Sequence, residues 1–284
     1  MKLAYYPGCS LEATAKEYDL STRAVCRVLE VELSELQDWN CCGATSAHST
    51  NHLLGIALPA RNLALAQQAG MDVTVPCSAC YSRLKTAAHL MDRDEAVRKR
   101  MEDAIGFKYS GKIKVLSLIE ALTTNIGLAK ISEKVIRPLT GLKVVCYYGC
   151  LLVRPPEIAH FEQPENPSLL DELMKILGAQ SMPWSDKVEC CGASLGLVQS
   201  AIVRKIVSRL LKHAKEAGAQ AIVTACPLCQ ANLEMRREKE DEGLPIFYFT
   251  ELMGISFGLK DSQKWLKKHL IDPTPLLTLV NLAG

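Results

Sequence analysis

The stretch Val73–Cys80 reads VTVPCSAC, and the stretch Ile222–Cys229 reads IVTACPLC. Each begins with a short apolar run rich in β-branched residues, which is typical of a buried strand, and ends with a Cys-x-x-Cys pair. The segments Leu3–Cys9 (LAYYPGC) and Val144–Cys150 (VVCYYGC) show a second recurrence. The matching segments lie about 140 to 150 residues apart, so we expect two copies of one structural unit.

The repeat contains most of the cysteines of the chain, which has 12 in its 284 residues. Each copy carries a lone Cys, then a Cys-Cys-Gly, then the Cys-x-x-Cys pair. The repeated cysteines are Cys9, Cys41, Cys42, Cys77 and Cys80 in the first copy and Cys150, Cys190, Cys191, Cys226 and Cys229 in the second. Five thiols at matched spacings, present twice, indicate two metal or iron-sulfur centres of one kind.

Strand-like runs alternate with amphipathic helical stretches in both copies. In the first copy we predict strands at Lys2–Tyr6, Val31–Leu36, Met71–Val75 and Lys112–Leu116, and helices at Glu17–Glu30, Leu53–Gln68, Tyr81–Glu102 and from Ser117 onward. In the second copy we predict strands near Leu142–Tyr147, Ala179–Met182, Ala221–Thr224 and Pro245–Phe249. The alternation predicts an α/β fold with two tandem, pseudo-symmetric Rossmann-like domains and parallel sheets, spanning residues 1–140 and 141–284.

Every repeated cysteine motif follows a predicted strand, in the segment that leads to the next helix. Because the carboxyl ends of parallel strands meet at one edge of a sheet, three such loops can converge on one site. Helix N-termini at that edge favour negatively charged sulfur. Gly43 and Gly192 follow the paired cysteines, and we expect them to allow close approach or a positive φ.

Several kinds of site use clustered cysteines. Structural zinc normally takes four ligands, and disulfides are rare in the cytosol. A thioredoxin-like pair at Cys77 and Cys80, or at Cys226 and Cys229, leaves the other thiols unexplained. An ordinary cubane cluster uses four cysteines, commonly crowded in one loop. Five thiols spread over three loops favour a larger or irregular cluster, with zinc as the remaining alternative.

The charge and hydropathy of the chain exclude some classes of function. The 33 basic and 31 acidic residues nearly cancel, so there is no electrostatic footprint for nucleic acid. The longest apolar run, Leu53–Leu65, is interrupted by Pro59, Arg61 and Asn62, so we expect no membrane span. With no recognisable signal peptide, we expect a cytoplasmic protein, which can still belong to a membrane-associated complex. Its partners are expected to be proteins and a small molecule.

The tandem motif resembles the cysteine-rich CCG domain, and two copies that fill nearly the whole chain look like the B subunit of heterodisulfide reductase. In that family each CCG domain holds a noncubane [4Fe-4S] cluster through five cysteines. The resemblance covers roughly residues 3 to 255, and every motif position is filled. It therefore implies two such clusters, one for each group of five cysteines named above.

The resemblance also implies an activity. In the family a disulfide, typically that of coenzymes M and B, is cleaved to two thiols between the clusters. Electrons would come from a ferredoxin-like iron-sulfur C subunit and a flavin-containing A subunit. This chain would need these partners because it has no further ferredoxin-type motif and no GxGxxG loop. The main alternative is a non-catalytic iron-sulfur electron-transfer subunit of a respiratory oxidoreductase.

The remaining candidates are single residues and the C-terminal tail. We expect Cys26 and Cys146 to be buried structural thiols. The histidines near the motifs are His48, His52, His89 and His160, of which His48 and His52 could protonate a departing thiolate. Arg61, Arg83 and Arg154 are candidates for holding an anionic substrate. The tail Lys264–Gly284 could be a docking arm or could pack on the protein's own surface.

Overall fold

The computed structural model describes residues 1–44, 47–161, 163–238 and 243–282. Two parallel four-stranded sheets form its centre, with the strand orders β2-β1-β3-β4 and β6-β5-β7-β8. The strands are β1 (Lys2–Tyr5), β2 (Glu32–Glu35), β3 (Val73–Val75), β4 (Val115–Ser117), β5 (Lys143–Tyr147), β6 (Gln180–Ser181), β7 (Ala221–Thr224) and β8 (Ile246–Tyr248). The same strand order recurs in both sheets, which confirms the predicted α/β class with its duplicated parallel sheets.

Helices connect successive strands and cover the sheets. They are α1 (Gly8–Glu12), α2 (Lys16–Val28), α3 (Ala47–Thr50), α4 (Leu54–Gln68), α5 (Ser78–Arg93), α6 (Glu95–Ile105), α7 (Leu118–Glu120), α8 (Leu128–Ser132), α9 (Pro156–Ala159), α10 (Leu169–Ile176), α11 (Ser200–Glu216), α12 (Pro227–Met235), α13 (Phe249–Ser256), α14 (Ser262–Leu266) and α15 (Thr274–Leu279). A π-helical turn, Ala121–Gly127, joins α7 to α8, and a short 3₁₀ turn, Ala193–Leu195, precedes α11.

The central strands of both sheets are buried on both faces. Every residue of β3 and β7 is buried, and neighbouring strands pair in register, with Val73 opposite Val115 and Val145 opposite Ile222. Continuous apolar strands of this kind are expected where helices cover both sides of a parallel sheet. This burial explains why the strand positions could be predicted from short apolar runs.

One predicted element is wrong. The sequence pattern predicts a single helix over Tyr81–Glu102, but the structure has two helices that are separated at Asp94. The Asp94 backbone is extended, and its carboxylate accepts hydrogen bonds from the amides of Ala96 and Val97. A capping aspartate of this kind begins a new helix even when the apolar spacing continues across it.

The two halves of the chain share a buried contact. Tyr18 of α2 stacks on Tyr248 with 4.1 Å between the ring centroids, and the hydroxyls of Ser21 and Thr250 lie 2.7 Å apart. A helix from the first half thus packs directly on the second. The division into domains near Gly141 stays a prediction, because a shared interior does not show whether either half folds alone.

The C-terminal tail packs on the protein itself. Trp265 of α14 is buried, its ring lies against Gly254, and the Arg137 guanidinium donates a hydrogen bond to the Asn281 carbonyl. Over the described residues up to 282, the alternative of a tail that packs on its own protein is therefore confirmed, and its use as a docking arm stays a prediction. Apolar tail residues such as Leu277 belong to the core.

No helix within the described ranges combines the length and the apolar character that crossing a bilayer requires.

Candidate metal centres

The first group of cysteines converges from three strand ends. Cys9 lies in α1 directly after β1, Cys41 and Cys42 follow β2, and Cys77 is the N-cap of α5, which carries Cys80 in its first turn. The Sγ atoms of Cys9 and Cys41 lie 4.0 Å apart, and those of Cys42 and Cys80 lie 3.3 Å apart. The structure thus brings together residues that are far apart in sequence.

The second group repeats this arrangement. Cys150 follows β5, Cys190 and Cys191 follow β6, and Cys226 is the N-cap of α12, which contains Cys229. The Sγ atoms of Cys191 and Cys229 lie 3.6 Å apart, and the Cys150 thiol interacts with that of Cys190. In both groups the Cys-x-x-Cys pair and the second cysteine of the Cys-Cys pair are buried, while Cys9, Cys41 and Cys190 are exposed.

The glycines of the two Cys-Cys-Gly motifs behave as the sequence predicts. Gly43 and Gly192 have φ values of 76° and 79°, in the region that glycine adopts without strain. This turn aims the Gly43 amide at Cys41 Sγ, 3.4 Å away, and the Gly192 amide at Cys190 Sγ, 3.3 Å away. Amide donors of this kind favour the thiolate form of cysteine.

A second pair of glycines, Gly8 and Gly149, lies against the buried thiols. A Cβ atom at Gly8 would be 3.0 Å from Cys80 Sγ, and one at Gly149 would be 3.1 Å from Cys229 Sγ. Both glycines also have positive φ. The absence of a side chain therefore keeps space open beside each Cys-x-x-Cys pair.

Two tyrosines that the sequence patterns did not single out lie under the cysteines. The Tyr6 hydroxyl donates to the carbonyl of Asn40, and the Tyr147 hydroxyl donates to the carbonyl of Glu189. Each acceptor is the residue just before a Cys-Cys pair. Burial, and then the nearby cysteine sulfurs, raise the pKa values of both tyrosines, so each hydroxyl keeps its proton. Their recurrence in LAYYPGC and VVCYYGC was a usable signal.

The two groups of cysteines adjoin across the halves of the protein. Hydrogen bonding with Cys226 is the largest cause of the raised pKa of Cys77, so the two groups lie close enough to affect each other's ionisation. Between them, the buried Tyr18 hydroxyl lies 3.3 Å from the Pro76 carbonyl and 3.2 Å from the Ala225 carbonyl. These carbonyls belong to the residues just before Cys77 and Cys226, so one side chain contacts both loops. The repeat could not identify Tyr18, because the motifs that recur in the two copies do not include it.

The close packing of the thiols shifts their pKa values. Hydrogen bonds from neighbouring thiols lower the pKa of Cys42 to about 3 and that of Cys190 to about 6. Hydrogen bonding to the Cys42 and Cys191 sulfurs raises the pKa values of Cys80 and Cys229, respectively, and burial raises them further. Negative charge on one sulfur thus opposes ionisation of the next, and bound cationic iron would relieve this repulsion.

The residues present fit iron-sulfur clusters. All twelve cysteines are free of disulfides, and each group offers thiol sulfur, which is the donor that such clusters use. Among the side chains in the described ranges, no three or more of Cys, His, Asp and Glu have the arrangement of a single-ion site. Cys26 and Cys146 are fully buried outside the repeated motifs, as expected of structural thiols.

The three predicted accessory arginines divide into two kinds, and the four histidines are separate from them. Arg61 contacts the carbonyl and carboxylate of Asp38, and Arg154 contacts Glu165 and the Val188 carbonyl, so both hold loops that lead to a Cys-Cys pair. Arg83 differs, because its charge helps to lower the pKa of Cys42. His48, His52 and His160 are exposed and His89 is half-buried, and their roles stay predictions.

Comparison with known proteins agrees with this architecture. The model of the cysteine-rich CCG domain matches residues 3–85 and 144–234, one match for each half. The chain is 33% identical to the 8-methylmenaquinol:fumarate reductase membrane anchor subunit of Wolinella succinogenes, over 97% of this chain and 99% of that protein. It is 27% identical to the B subunit of a CoB-CoM heterodisulfide reductase of Methanosarcina acetivorans, over 98% of this chain and 97% of the relative.

Other relatives and a solved structure extend the comparison. A protein of Archaeoglobus profundus that is described as like the B subunit of heterodisulfide reductase is 28% identical over 91% of both chains. A hypothetical protein from Helicobacter pylori has the same fold, with a TM-score of 0.75 at 11% identity, over 95% of this chain and 52% of that chain. The duplicated sheets, the two groups of five cysteines and these matches together show that the chain belongs to the tandem cysteine-rich CCG domain family, which includes the B subunits of heterodisulfide reductases.

Proposed function

We propose that this chain is the catalytic subunit of a heterodisulfide reductase-like complex. In this proposal Cys9, Cys41, Cys42, Cys77 and Cys80 hold one noncubane [4Fe-4S] cluster, and Cys150, Cys190, Cys191, Cys226 and Cys229 hold the other. The substrate is a disulfide, either that of coenzymes M and B or a related sulfur compound. Its reduction consumes two electrons and two protons and releases two thiols.

The main observation behind the proposal is that the two cysteine groups lie next to each other. Tyr18 contacts the carbonyls just before Cys77 and Cys226, and these two thiols shift each other's pKa, so two groups of the same kind lie side by side in one molecule. When bound, each cluster would supply one electron, as iron-sulfur clusters commonly do. Two adjoining sites therefore match the electron count of one disulfide, which a single site does not.

The protein's own residues prepare this chemistry in three ways. The Tyr6 and Tyr147 hydroxyls hold the loops that carry the Cys-Cys pairs. Cys77 and Cys226 are the N-cap residues of α5 and α12, and a helix N-terminus favours negative charge on a nearby sulfur. Cys9 and Cys41 of the first group and Cys190 of the second contact solvent, from which a small molecule would approach, and Arg83 supplies a positive charge beside the first group.

The same proposal includes partners and a location. The relatives named as reductase subunits belong to multi-subunit complexes, and we infer that this chain does as well. A ferredoxin-like iron-sulfur C subunit, which receives electrons from a flavin-containing A subunit, would supply the two electrons. We place the complex in the cytoplasm, in association with a membrane.

A second candidate function is that of a non-catalytic iron-sulfur subunit that carries electrons within a respiratory oxidoreductase. It is favoured by the relative from Wolinella succinogenes, which is more similar to this chain than the B subunit from Methanosarcina acetivorans is, at 33% against 27% identity. In that case both groups of cysteines would hold clusters, but no disulfide would react at them.

Two measurements on anaerobically purified protein test these proposals. Iron and acid-labile sulfide should each reach about eight atoms per chain, as two four-iron clusters require. Zinc without sulfide would refute both redox functions. Electron paramagnetic resonance after addition of coenzyme M to oxidised protein should then reveal a new thiol-dependent signal. A spectrum that is indifferent to thiols would favour the electron-transfer role.

A further inference from the structure

Four aliphatic side chains project into solvent just after the second Cys-Cys-Gly motif. Leu195 is 41% exposed, Leu197 95%, Val198 73% and Ile202 49%. They lie in the 3₁₀ turn that follows Gly192, in the short link after it and in the first turn of α11. We name these four residues the apolar tip. Several exposed aliphatic residues within eight positions are unusual on a surface that faces only water, and they indicate an interaction site.

The corresponding segment of the first copy exposes a single aliphatic side chain within its described residues, Leu54 at 43%. After Gly43 the sequence continues ATSAHST, and the described helix α3 (Ala47–Thr50) exposes His48, Ser49 and Thr50. Because the first cysteine group is built in the same way without a cluster of such residues, the apolar tip is not a requirement of the cysteine site. It is a property of the second group alone in the part of the chain that the structure describes.

Positive charge borders the apolar tip. The exposed basic residues of α11 are Arg204, Lys205, Arg209, Lys212 and Lys215, against Glu216 as its exposed acid. Arg204 and Arg209 pair with Glu238 and Glu189, whereas Lys205 makes no salt bridge within the described part of the chain. A Cβ atom at Gly196, inside the tip, would lie 3.6 Å from the Arg236 guanidinium. Cations thus flank the aliphatic side chains on two sides.

We propose that the apolar tip and the basic face of α11 form a membrane-binding surface for anionic lipid. Protruding aliphatic side chains can enter the boundary between headgroups and acyl chains, while adjacent Lys and Arg side chains contact lipid phosphates. A buried protein interface would instead favour aromatic residues and few lysines, and α11 presents three lysines and no aromatic residue. The chain would bind as a peripheral protein, on the surface of the bilayer.

Binding to the membrane through this surface would affect the second cysteine group most directly. Gly192 packs against Val203 and Ile206 of α11, so the second Cys-Cys-Gly loop and the membrane-binding helix form one unit. Docking would hold the exposed Cys190 near the lipid surface. The inference specifies the membrane association proposed above, but it does not depend on disulfide reduction.

Vesicle sedimentation tests the proposal with the full-length chain and needs no substrate. We expect binding to phosphatidylcholine vesicles that contain about 30% phosphatidylglycerol, and weaker binding at about 0.5 M salt. The double variant Leu197→Glu, Val198→Glu should bind about tenfold more weakly, because it replaces apolar contacts with charges that anionic lipid repels. The variant Ile136→Glu is the matched control, since Ile136 is 77% exposed but lies outside the apolar tip. It should bind like the unchanged protein.

Loss of membrane binding can be distinguished from loss of folding. Circular dichroism and thermal melting of both variants should match the unchanged protein, because the substituted side chains face solvent. Absence of binding to anionic vesicles, or equal binding by the double variant, would overturn the proposal. So would a result in which the double variant loses a protein partner from the complex while vesicles bind none of the proteins.

Discussion

At the scale of single residues, the hydroxyl of Tyr18 contacts both Cys-x-x-Cys loops. It lies within hydrogen-bonding distance of the Pro76 and Ala225 carbonyls, and it is fully buried. A hydroxyl carries one proton, so it donates to one carbonyl at a time or is shared between them. Either way, both loops depend on the same group for a buried hydrogen bond.

Replacing Tyr18 with Phe should therefore destabilise the protein. The ring stack on Tyr248 can persist, but the two buried carbonyls lose their donor, and we expect a loss of about 1–3 kcal/mol of unfolding free energy. Denaturant titration measures it. Tyr109→Phe is the control, because the Tyr109 ring is buried while its hydroxyl makes no hydrogen bond within the described residues. Equal stability of the two variants would contradict the role assigned to Tyr18.

The glycines beside the thiols allow a second substitution test. Gly8→Ala would place a Cβ 3.0 Å from Cys80 Sγ at a φ of +70°, whereas Gly70→Ala has nearly the same φ, +65°, and nothing within 4 Å. Both should cost about 1 kcal/mol of backbone strain. Only Gly8→Ala should also lower the iron content of reconstituted protein. Equal iron content in the two variants would show that the space beside Cys80 is not needed.

At the scale of elements, the tail residue His269 lies between α12 and α13. Its side chain is fully buried, with Nδ1 3.1 Å from Glu234 and Nε2 2.9 Å from Glu251. Burial alone would lower the pKa of His269, but the two carboxylates outweigh it and raise the pKa to about 11. The imidazolium thus joins the C-terminal tail to the helix that begins at the second Cys-x-x-Cys pair.

This ion cluster predicts a pH dependence of stability. Because the folded state holds the His269 proton more tightly than the unfolded state, its contribution is complete below a pH of about 6.5. It is lost as the pH rises from about 6.5 towards about 11. Melting temperatures between pH 7 and about 9 should fall more steeply for the unchanged protein than for His269→Gln. A slope unaffected by His269→Gln would contradict the assignment.

Much of this element structure was predictable from the repeat. Short apolar runs indicated the central strands of both sheets, because strands buried on both faces lack charged residues. The joint between α5 and α6 was missed, since Asp94 ends one helix and caps the next without changing the apolar spacing. The buried position of His269 was also missed, because its partners Glu234 and Glu251 are distant in sequence and their burial depends on the packed tail.

At the scale of the whole molecule, the cysteine sites were predictable and their relation to each other was not. The strand pattern placed each motif after a strand. Because the carboxyl ends of parallel strands meet at one edge of a sheet, the motifs of each half were expected to converge there. The proximity of the Cys77 and Cys226 loops depends on how the two sheets pack, and no local pattern encodes that packing. Tyr18 shows the same limit, as it contacts the carbonyl of Ala225 from the opposite half.

The shared interior predicts that the halves depend on each other. Residues 1–140 alone would expose α2, including Tyr18 and Ser21, which are buried against α13 and Tyr248 in the intact chain. We expect this fragment to lack a cooperative thermal transition, and mixing it with residues 141–284 should restore one. Fluorescence and circular dichroism melts measure this. A fragment that unfolds cooperatively at the temperature of the intact chain would identify an independent domain.

In the proposed function, two adjoining clusters together reduce one disulfide. The direct measurement is a single turnover, in which fully reduced protein, freed of excess reductant, is mixed with the heterodisulfide of coenzymes M and B and the thiols released are counted. We predict about two thiols per chain, because two one-electron centres supply one disulfide. We also expect that Cys41→Ser with Cys42→Ser, which leaves one complete group, abolishes this stoichiometry. A reduced, fully loaded protein that releases no thiol would contradict the proposed function.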